Sequence, residues 1–330
     1  MRLTIRSSLL QALVFASTLG VVSDSLAQAA AYPSKAIKMV VPFAPGGPVD
    51  YLARATGQTL LEQWGQPVVV ENRPGAGGTI GLEAVARSAA DGYTLALAGS
   101  SNLAVAPNLY AKLPYDPLRD LAPVVNVAAT SYVLSVNPGV PAKSIRELIE
   151  LARAKKGTLS YGSAGLGSMS NLAGELLKAL AGVDILHVPY KGAAPYVTAV
   201  LAGQIDMIFP DLATAEPLAK AGKLRPLAVT GSKRSTIAQE LPTIAEAGID
   251  GYAVDIWFGI VAPAATPKDI VAKLNAAIAG VLKAGELRQR LADRGYEAIG
   301  DAPEQFAATI KADIEKFGRI IRRAGIKAEL

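Results

Sequence analysis

The feature that most constrains this chain is a repeated junction: a short apolar run, a bend rich in glycine and proline, then a segment of helical period. Ile37 to Val41 reads as a buried strand, and Val49, Leu52, Ala53, Leu60, Leu61 and Trp64 then recur at helical spacing. Between them lies Pro42-Phe43-Ala44-Pro45-Gly46-Gly47-Pro48, with Pro48 near the first helical position. Glycine lets the backbone turn sharply there and lets a ligand approach without a Cβ in the way. The first-turn N–H groups of such a helix lack intrahelical partners and carry positive dipole density, so the junction is an anion seat built from backbone. Gly75-Ala76-Gly77-Gly78 and Gly162 to Ser168 repeat the design. Asp50, in the first helical turn, suits the helix dipole; orienting a water or a ligand donor is the alternative.

Alternation continues along the chain. Strands are expected at 35–41, 67–71, 93–98, 158–161, 185–188, 205–209 and 224–229, and helices at 49–63, 78–89, 102–111, 168–180, 193–201 and 212–221. Ser144-Ile145-Arg146-Glu147 is a capping box opening another helix. Later helices carry Ile270, Leu274, Ile278 and Leu282, then Phe306, Ile310, Ile314, Phe317 and Ile321 on one stripe. This pattern predicts an α/β chain with parallel sheets covered by helices. Val124 to Val136 is a long β-like run broken at Ala128-Ala129-Thr130-Ser131, and Gly251 to Val261 is extended again. Read as two crossings, they divide the chain into residues 30–131 plus 253–330 and residues 132–252, with a hinged cleft between the two lobes.

Composition narrows the chemistry. Cysteine is absent and histidine occurs once, which removes thiol nucleophiles, disulfides and the usual zinc sets; no cofactor or metal is implied. Hydrophobic residues make up 51% of the 330 residues and charged ones 18%, as expected for buried strands rather than disorder. Arg2 and Arg6 precede an apolar run from Leu9 to Val22, followed by small-residue cleavage sites ending at Ala27 and Ala29. Residues 1–29 therefore read as a secretory signal peptide, and the remainder as a soluble, exported protein. The net charge of +5 is scattered apart from Lys316, Arg319, Arg322, Arg323 and Lys327, a solvated helix face rather than a nucleic-acid surface.

Gly75 to Gly81 follows a strand and opens a helix, but its third glycine falls one residue late for a dinucleotide fingerprint. An anion-accepting loop is the better reading, against a purely structural turn. Gly162-Ser163-Ala164-Gly165-Leu166-Gly167-Ser168 offers N–H groups and two hydroxyls, with neither a nucleophile elbow nor a Walker pattern; Ser168 also suits an N-cap. Ser100-Ser101-Asn102 ends a strand where open α/β sheets place ligands, although a local turn would use the same residues. His187 reads as a hydrogen-bonded structural histidine, with no serine partner evident. Asp211 either faces the cleft or caps the following helix.

Several segments, in this order, resemble one family: Pro42-Phe43-x-Pro-Gly-Gly-x-x-Asp50-x-x-Ala53-Arg54, Asn72-Arg73-Pro74-Gly-Ala-Gly-Gly-Thr-Ile-Gly81, Asp91-Gly-Tyr-Thr-Leu95, Tyr161-Gly-Ser-x-Gly-x-Gly-Ser168 and His187-Val-Pro-Tyr-Lys-Gly192. Gly222-Lys-Leu-Arg-Pro-Leu-Ala-Val-Thr230, Leu241-Pro-Thr-Ile-Ala-Glu-Ala-Gly248 and Trp257-Phe-Gly259 extend the likeness over the whole mature chain. Together they resemble the Bug-type extracytoplasmic solute receptors, the substrate-binding proteins of tripartite tricarboxylate transporters. The resemblance implies a periplasmic binding protein type II fold, with two α/β lobes joined by two extended crossings. It also implies a non-enzymatic periplasmic receptor, expected as a monomer, that delivers a small organic carboxylate to membrane permease subunits. Ligands of the family include dicarboxylates, tricarboxylates, acidic amino acids and aromatic acids. Joined to the residue reading, it makes Phe43, Ala44, Gly46, Gly47, Asp50, Ala76, Gly77, Gly78, Ser100, Asn102, Ser163, Ala164, Gly165, Ser168, Tyr190 and Asp211 the candidate contacts. Val49, Asn171 and Ala199 stand where the family pattern has a hydroxyl residue, a histidine and an acidic residue; the first change implies a less polar distal end for the ligand. Two alternatives remain: a secreted hydrolase or transferase using the serines of 162–168, and a ligand-sensing partner of a membrane sensor kinase.

Overall fold

Why the chain changes direction where it does is visible at its first junction. In the computed structural model, β1 (Ile37–Val41) leads through the 42–47 loop into α1 (Pro48–Trp64), with Gly47 as N-cap and Pro48 at the first position. Gly65, at φ +65°, ends α1 and gives its N–H to the Leu61 carbonyl. The chain continues through β2 (Val68–Asn72), a 3₁₀ turn (Ala76–Gly78), α2 (Thr79–Ala86), β3 (Thr94–Gly99), a π-helical turn (Ser101–Val105), α3 (Ala106–Leu109) and β4 (Leu121–Ser131). After Tyr132 alone it enters β5 (Val133–Val136), then α4 (Ile145–Ala154), β6 (Ser160–Ser163), α5 (Met169–Ala181), β7 (Leu186–Pro189), α6 (Ala193–Leu201), β8 (Met207–Ile208), α7 (Leu212–Lys220) and β9 (Arg225–Val229). It returns through β10 (Asp255–Pro263) to α8 (Lys268–Lys283), α9 (Glu286–Ala292), β11 (Glu297–Ala298) and α10 (Pro303–Ala324). The structure describes residues 32–324, apart from Thr236, Ala284 and the side chains of Arg323 and Ala324. The signal-peptide reading of residues 1–29 and the basic Lys327 lie outside the described residues.

Two sheets result, in the orders β11-β4-β10-β3-β1-β2 and β7-β6-β8-β5-β9, both within the compact unit that starts at Lys35. They are mixed, not purely parallel as the alternation predicts. β1 is parallel to β2 and β3, and β6 to β7 and β8, but β10 runs antiparallel to β3 and β4, and β5 antiparallel to β8 and β9. The reason is the double crossing: β4 leads out of the first sheet, β10 leads back, and the two pair side by side. The outward run breaks at Tyr132, whereas Ala128 to Ser131 stay within β4 and pair with β10. The expected helix over 102–111 is divided between the π-helical turn and α3, and the short α9 and β11 carry no periodic signal of their own.

The first core gathers on β10, nearly all of whose residues are buried. Phe306, Ile310, Phe317 and Ile321 of α10 are buried as one stripe, each worth roughly 1.5–3 kcal/mol of transfer free energy. Polar ties fix this helix as well: Trp257 Nε1 donates to Asp313 Oδ2 at 2.6 Å, and Lys316 pairs with Asp255 at 2.9 Å. The capping box on α4 forms with a small shift. Glu147 N–H bonds Ser144 Oγ at 3.2 Å, but the Glu147 carboxylate turns back onto the N–H of Lys143.

Candidate functional site

Loops that leave the C-terminal ends of β1, β2, β3, β6 and β7 line a single cleft from both sheets, where α/β proteins hold their ligands. It has two chambers. The outer one, about 550 Å³, is walled by Phe43, Ala44, Pro74, Gly75 to Gly78, Tyr110, Ala164 to Leu166 and Pro189 to Gly192. A smaller, deeper one of about 50 Å³ is lined by Gly47, Pro48, Val49, Gly99, Ser100, Ser101, Tyr132, Ser168, Met169, Ala193, Tyr196, Ile256 and Phe258. Phe43, Ala44, Ala164 and Gly192 belong to both.

Four helices present their N-termini here: α1 at Gly47, α2 at Gly78, α5 at Ser168 and α6 at Gly192. Three of the four caps are glycines that make no side-chain cap. By contrast α4 and α7 are capped by Ser144 and Asp211. Uncapped first-turn N–H groups are donors looking for an acceptor, and their combined dipoles favour negative charge. Ser100 adds a hydroxyl: its Oγ is fully buried, lines the deep chamber and has no hydrogen-bond partner among the described residues. A buried hydroxyl left unpaired costs free energy that a ligand acceptor would recover. The site is thus rich in donors, while Lys191 is the one cationic side chain lining its described walls.

Strain marks the 75–78 loop. Ala76 holds φ +45°, unusual without glycine, between Gly75 at +136° and Gly77 at +64°. Tyr110 Oη donates to the Ala76 carbonyl at 3.0 Å and Asn102 Nδ2 to the Gly77 carbonyl at 2.6 Å. Both carbonyls are therefore occupied, and the Gly78 N–H closes the turn on the Gly75 carbonyl at 2.8 Å.

Of the sequence-based candidates, Phe43, Ala44, Gly47, Ala76, Gly77, Gly78, Ser100, Ala164, Gly165, Ser168 and Tyr190 line the cleft. Five do not line either chamber, and each has another structural task. Gly46 gives its N–H to Asp50 Oδ2 at 3.1 Å. Asp50 is buried, with Arg54 and Asn72 on its carboxylate, behind the loop rather than in the cleft. Burial alone would raise the Asp50 pKa, but the bonds from Arg54, Gly46 and Asn72 outweigh it and hold the carboxyl below its usual range. Asn102 supports the 75–78 loop from beneath. Asp211 caps α7 through Thr214 N–H at 2.8 Å and accepts Tyr296 Oη at 2.9 Å, so both its oxygens are used.

Ser163 is fully buried, its Oγ 2.6 Å from His187 Nε2 and accepting the Gly165 N–H at 3.1 Å. His187 therefore has the serine partner that the sequence reading did not find. The pair is not a catalytic dyad: the hydroxyl reaches neither chamber, and the imidazole's other neighbour is the Asn171 amide at 3.4 Å, not a carboxylate. It stiffens the 163–168 loop, with Asn171 bonded to Tyr161 Oη at 3.0 Å and Tyr161 to Glu175 at 2.7 Å. Burial pushes the His187 pKa down; Glu175 opposes this and Lys178 adds to it. A depressed pKa means that the unfolded chain takes up the proton first. The stability this imidazole contributes is present above its ordinary pKa near 6.5 and is lost as pH falls below it. Between about pH 6.5 and 5, the native melting temperature is expected to fall more steeply than that of His187→Gln; parallel curves would remove the histidine from the account.

Tyr132, Ile256, Phe258 and Tyr196, which wall the deep chamber, lack a local signal in the sequence, because crossing strands and packing bring them there. Lys191 and Gly192 were within reach, since they close the Val188-Pro189-Tyr190 segment that opens α6.

The family model described as the tripartite tricarboxylate transporter family receptor, TctC, matches residues 52–326. Protein BugT of Bordetella pertussis is 37% identical over 315 residues, covering 95% of this chain and 96% of its own. Among solved structures, R. palustris Rpa4515 with adipate superposes with a TM-score of 0.87 at 38% identity, covering 90% of this chain and 99% of that one. MatC from Rhodopseudomonas palustris with bound malate gives 0.84 at 33% identity, covering 88% and 100%.

Proposed function

The chain belongs to the tripartite tricarboxylate transporter receptor family, and from that premise we propose that it closes its cleft around a small organic carboxylate and delivers it to a membrane transporter. It is a solute receptor with a two-lobed α/β fold, not an enzyme, and its relatives are periplasmic binding proteins. The observation that carries the ligand reading is the meeting of glycine-capped helix N-termini with the unpartnered Ser100 Oγ in the deep chamber. Adipate and malate, held by two of the solved relatives, share the carboxylate that such a seat would take.

In this reading the lobes are residues 30–131 plus 253–330 and residues 132–252, and they rotate about the strand crossings near Tyr132. Ser100, Ser168 and the backbone of Gly47 and Gly77 contact the ligand. Asp50, Asn102 and Ser163 hold the loops in place without touching it. Delivery to permease subunits, a monomeric state and export by the N-terminal leader complete the proposal.

A panel of carboxylates with their neutral amides, read by thermal shift, tests it. An acid at 100 times its dissociation constant stabilises the native state by about 2.7 kcal/mol. A shift with an acid and none with its amide is the expected result. Equal shifts with both, or with neither, would sink the carboxylate reading.

A further inference from the structure

We propose that the groove between α1 and the end of α9 docks an acidic segment of a protein partner, a stretch of chain that carries at least two carboxylates. This groove shares no residue with either chamber of the cleft, so it is independent of what the cleft binds.

It encloses about 610 Å³, and three arginines line it: Arg54 from α1, Arg290 from α9 and Arg294 just beyond. Two aspartates line it as well. Asp50 is buried, and its oxygens already accept from Arg54, Asn72 and the Gly46 N–H. Asp293 is exposed and accepts from Gln289 Nε2 at 2.7 Å. Arg290 Nε is buried with no acceptor among the described residues, and the ion pair of Arg290 with Glu286, at 3.9 Å, is too long for a hydrogen bond. The Arg294 guanidinium stands over the Tyr51 ring, 4.1 Å from its centroid, with no ion pair among the described residues. Arg290 and Arg294, four residues apart, are therefore short of carboxylate acceptors.

The dipole of α9 accounts for a cation at its C-terminus. It does not account for Arg54 arriving from another helix, nor for the way Tyr51 holds its neighbours. That ring stacks on Tyr296 at 6.2 Å, and its Oη reaches the Arg290 carbonyl at 3.5 Å. A guanidinium held in advance gives up little freedom on pairing and takes a carboxylate through two parallel bonds. Arginine and tyrosine are also the side chains that dominate protein–protein contacts. A concavity between two helices admits a protruding chain, whereas a broad lipid surface would meet only its rim. Gly46 joins the groove to the 42–47 loop, whose Phe43, Ala44 and Gly47 line the cleft. A partner seated here stands against the back of the loop that faces the ligand.

Fluorescence anisotropy of a labelled hexaglutamate peptide, with the mature protein freed of bound acid and at low ionic strength, is the test. Native protein is expected to bind hexaglutamate and not hexaserine. Arg290→Gln with Arg294→Gln should weaken binding at least about tenfold, and Asp293→Asn should tighten it about threefold, a gain that no folding defect mimics. Lys223→Gln with Lys273→Gln removes two exposed charges that do not line the groove, and should change affinity by less than about threefold. Equal losses in the two double variants, no loss in the arginine variant, or no binding of hexaglutamate overturns the proposal. So does tighter binding to phosphatidylglycerol vesicles that the arginine variant abolishes, which would make the groove a lipid site. None of these outcomes touches the carboxylate reading, because the cleft is unaltered in every variant.

Discussion

Replacing Gly77 by valine is expected to weaken carboxylate binding about a hundredfold, or about 2.7 kcal/mol. Gly77 sits at φ +64°, a region that a β-branched residue enters only under strain. An added Cβ would lie 2.7 Å from Tyr110 Oη and 2.9 Å from the Leu166 carbonyl oxygen. Strain and overlap are each worth about 1–3 kcal/mol. Leu166 follows β6 of the second sheet, whereas Gly77 follows β2 of the first. The overlap therefore falls on the arrangement in which the two loops meet across the cleft, the one that encloses a ligand. Titration of Gly77→Val with the acid that binds the native protein, alongside an unfolding curve, measures both parts. Affinity within about threefold of native would mean that the loops need not approach this closely.

The second large effect is expected at a residue that lies outside the cleft. Asp50→Ala should lower stability by about 2 kcal/mol and carboxylate affinity by at least about tenfold. One carboxylate gathers the Gly46 N–H at 3.1 Å, Arg54 Nη2 at 2.9 Å and Asn72 Nδ2 at 2.9 Å, and Asn72 Nδ2 also reaches the Phe43 carbonyl at 3.0 Å. Arg54 is more than half exposed, so its ion pair contributes little. Most of the loss comes from the Gly46 and Asn72 donors left without their acceptor. Because the Asp50 pKa is lowered in the native state, its contribution is present above the ordinary aspartate value near 3.8 and fades as pH drops below it. Urea unfolding at neutral pH reads the stability term. An unchanged midpoint would show that the 42–47 loop holds its shape unaided.

Local chemistry made much of this legible. Pro48 after Gly47, Ser168 before Met169 and the Phe306 to Ile321 stripe each declare a helix and its orientation within a few residues. Loop glycines likewise pointed to the cleft, because the demand for positive φ or close approach is local. What sequence could not give was the direction in which a polar side chain points. Asp50, Asn102, Ser163 and Asp211 are the residue types a ligand would want, yet each turns to a backbone or side-chain partner that folding alone supplies. Strand orientation was hidden for the same reason. Whether β10 runs with or against β3 depends on the path of more than a hundred intervening residues, not on its own alternation.

That placement of β10 also sets an order of events. The strand lies between β3 and β4 in the first sheet, although the whole of the second sheet separates it from β4 in the chain. Until residues 255–263 arrive, β3 and β4 have open edges, and α8 and α10, which pack over β4, lie further along the chain still. The second sheet, by contrast, is contiguous from β5 to β9 and closes on contacts of shorter range. The lobe that begins first is thus the one that finishes last, and the growing chain stays unfinished until nearly all of it has been made.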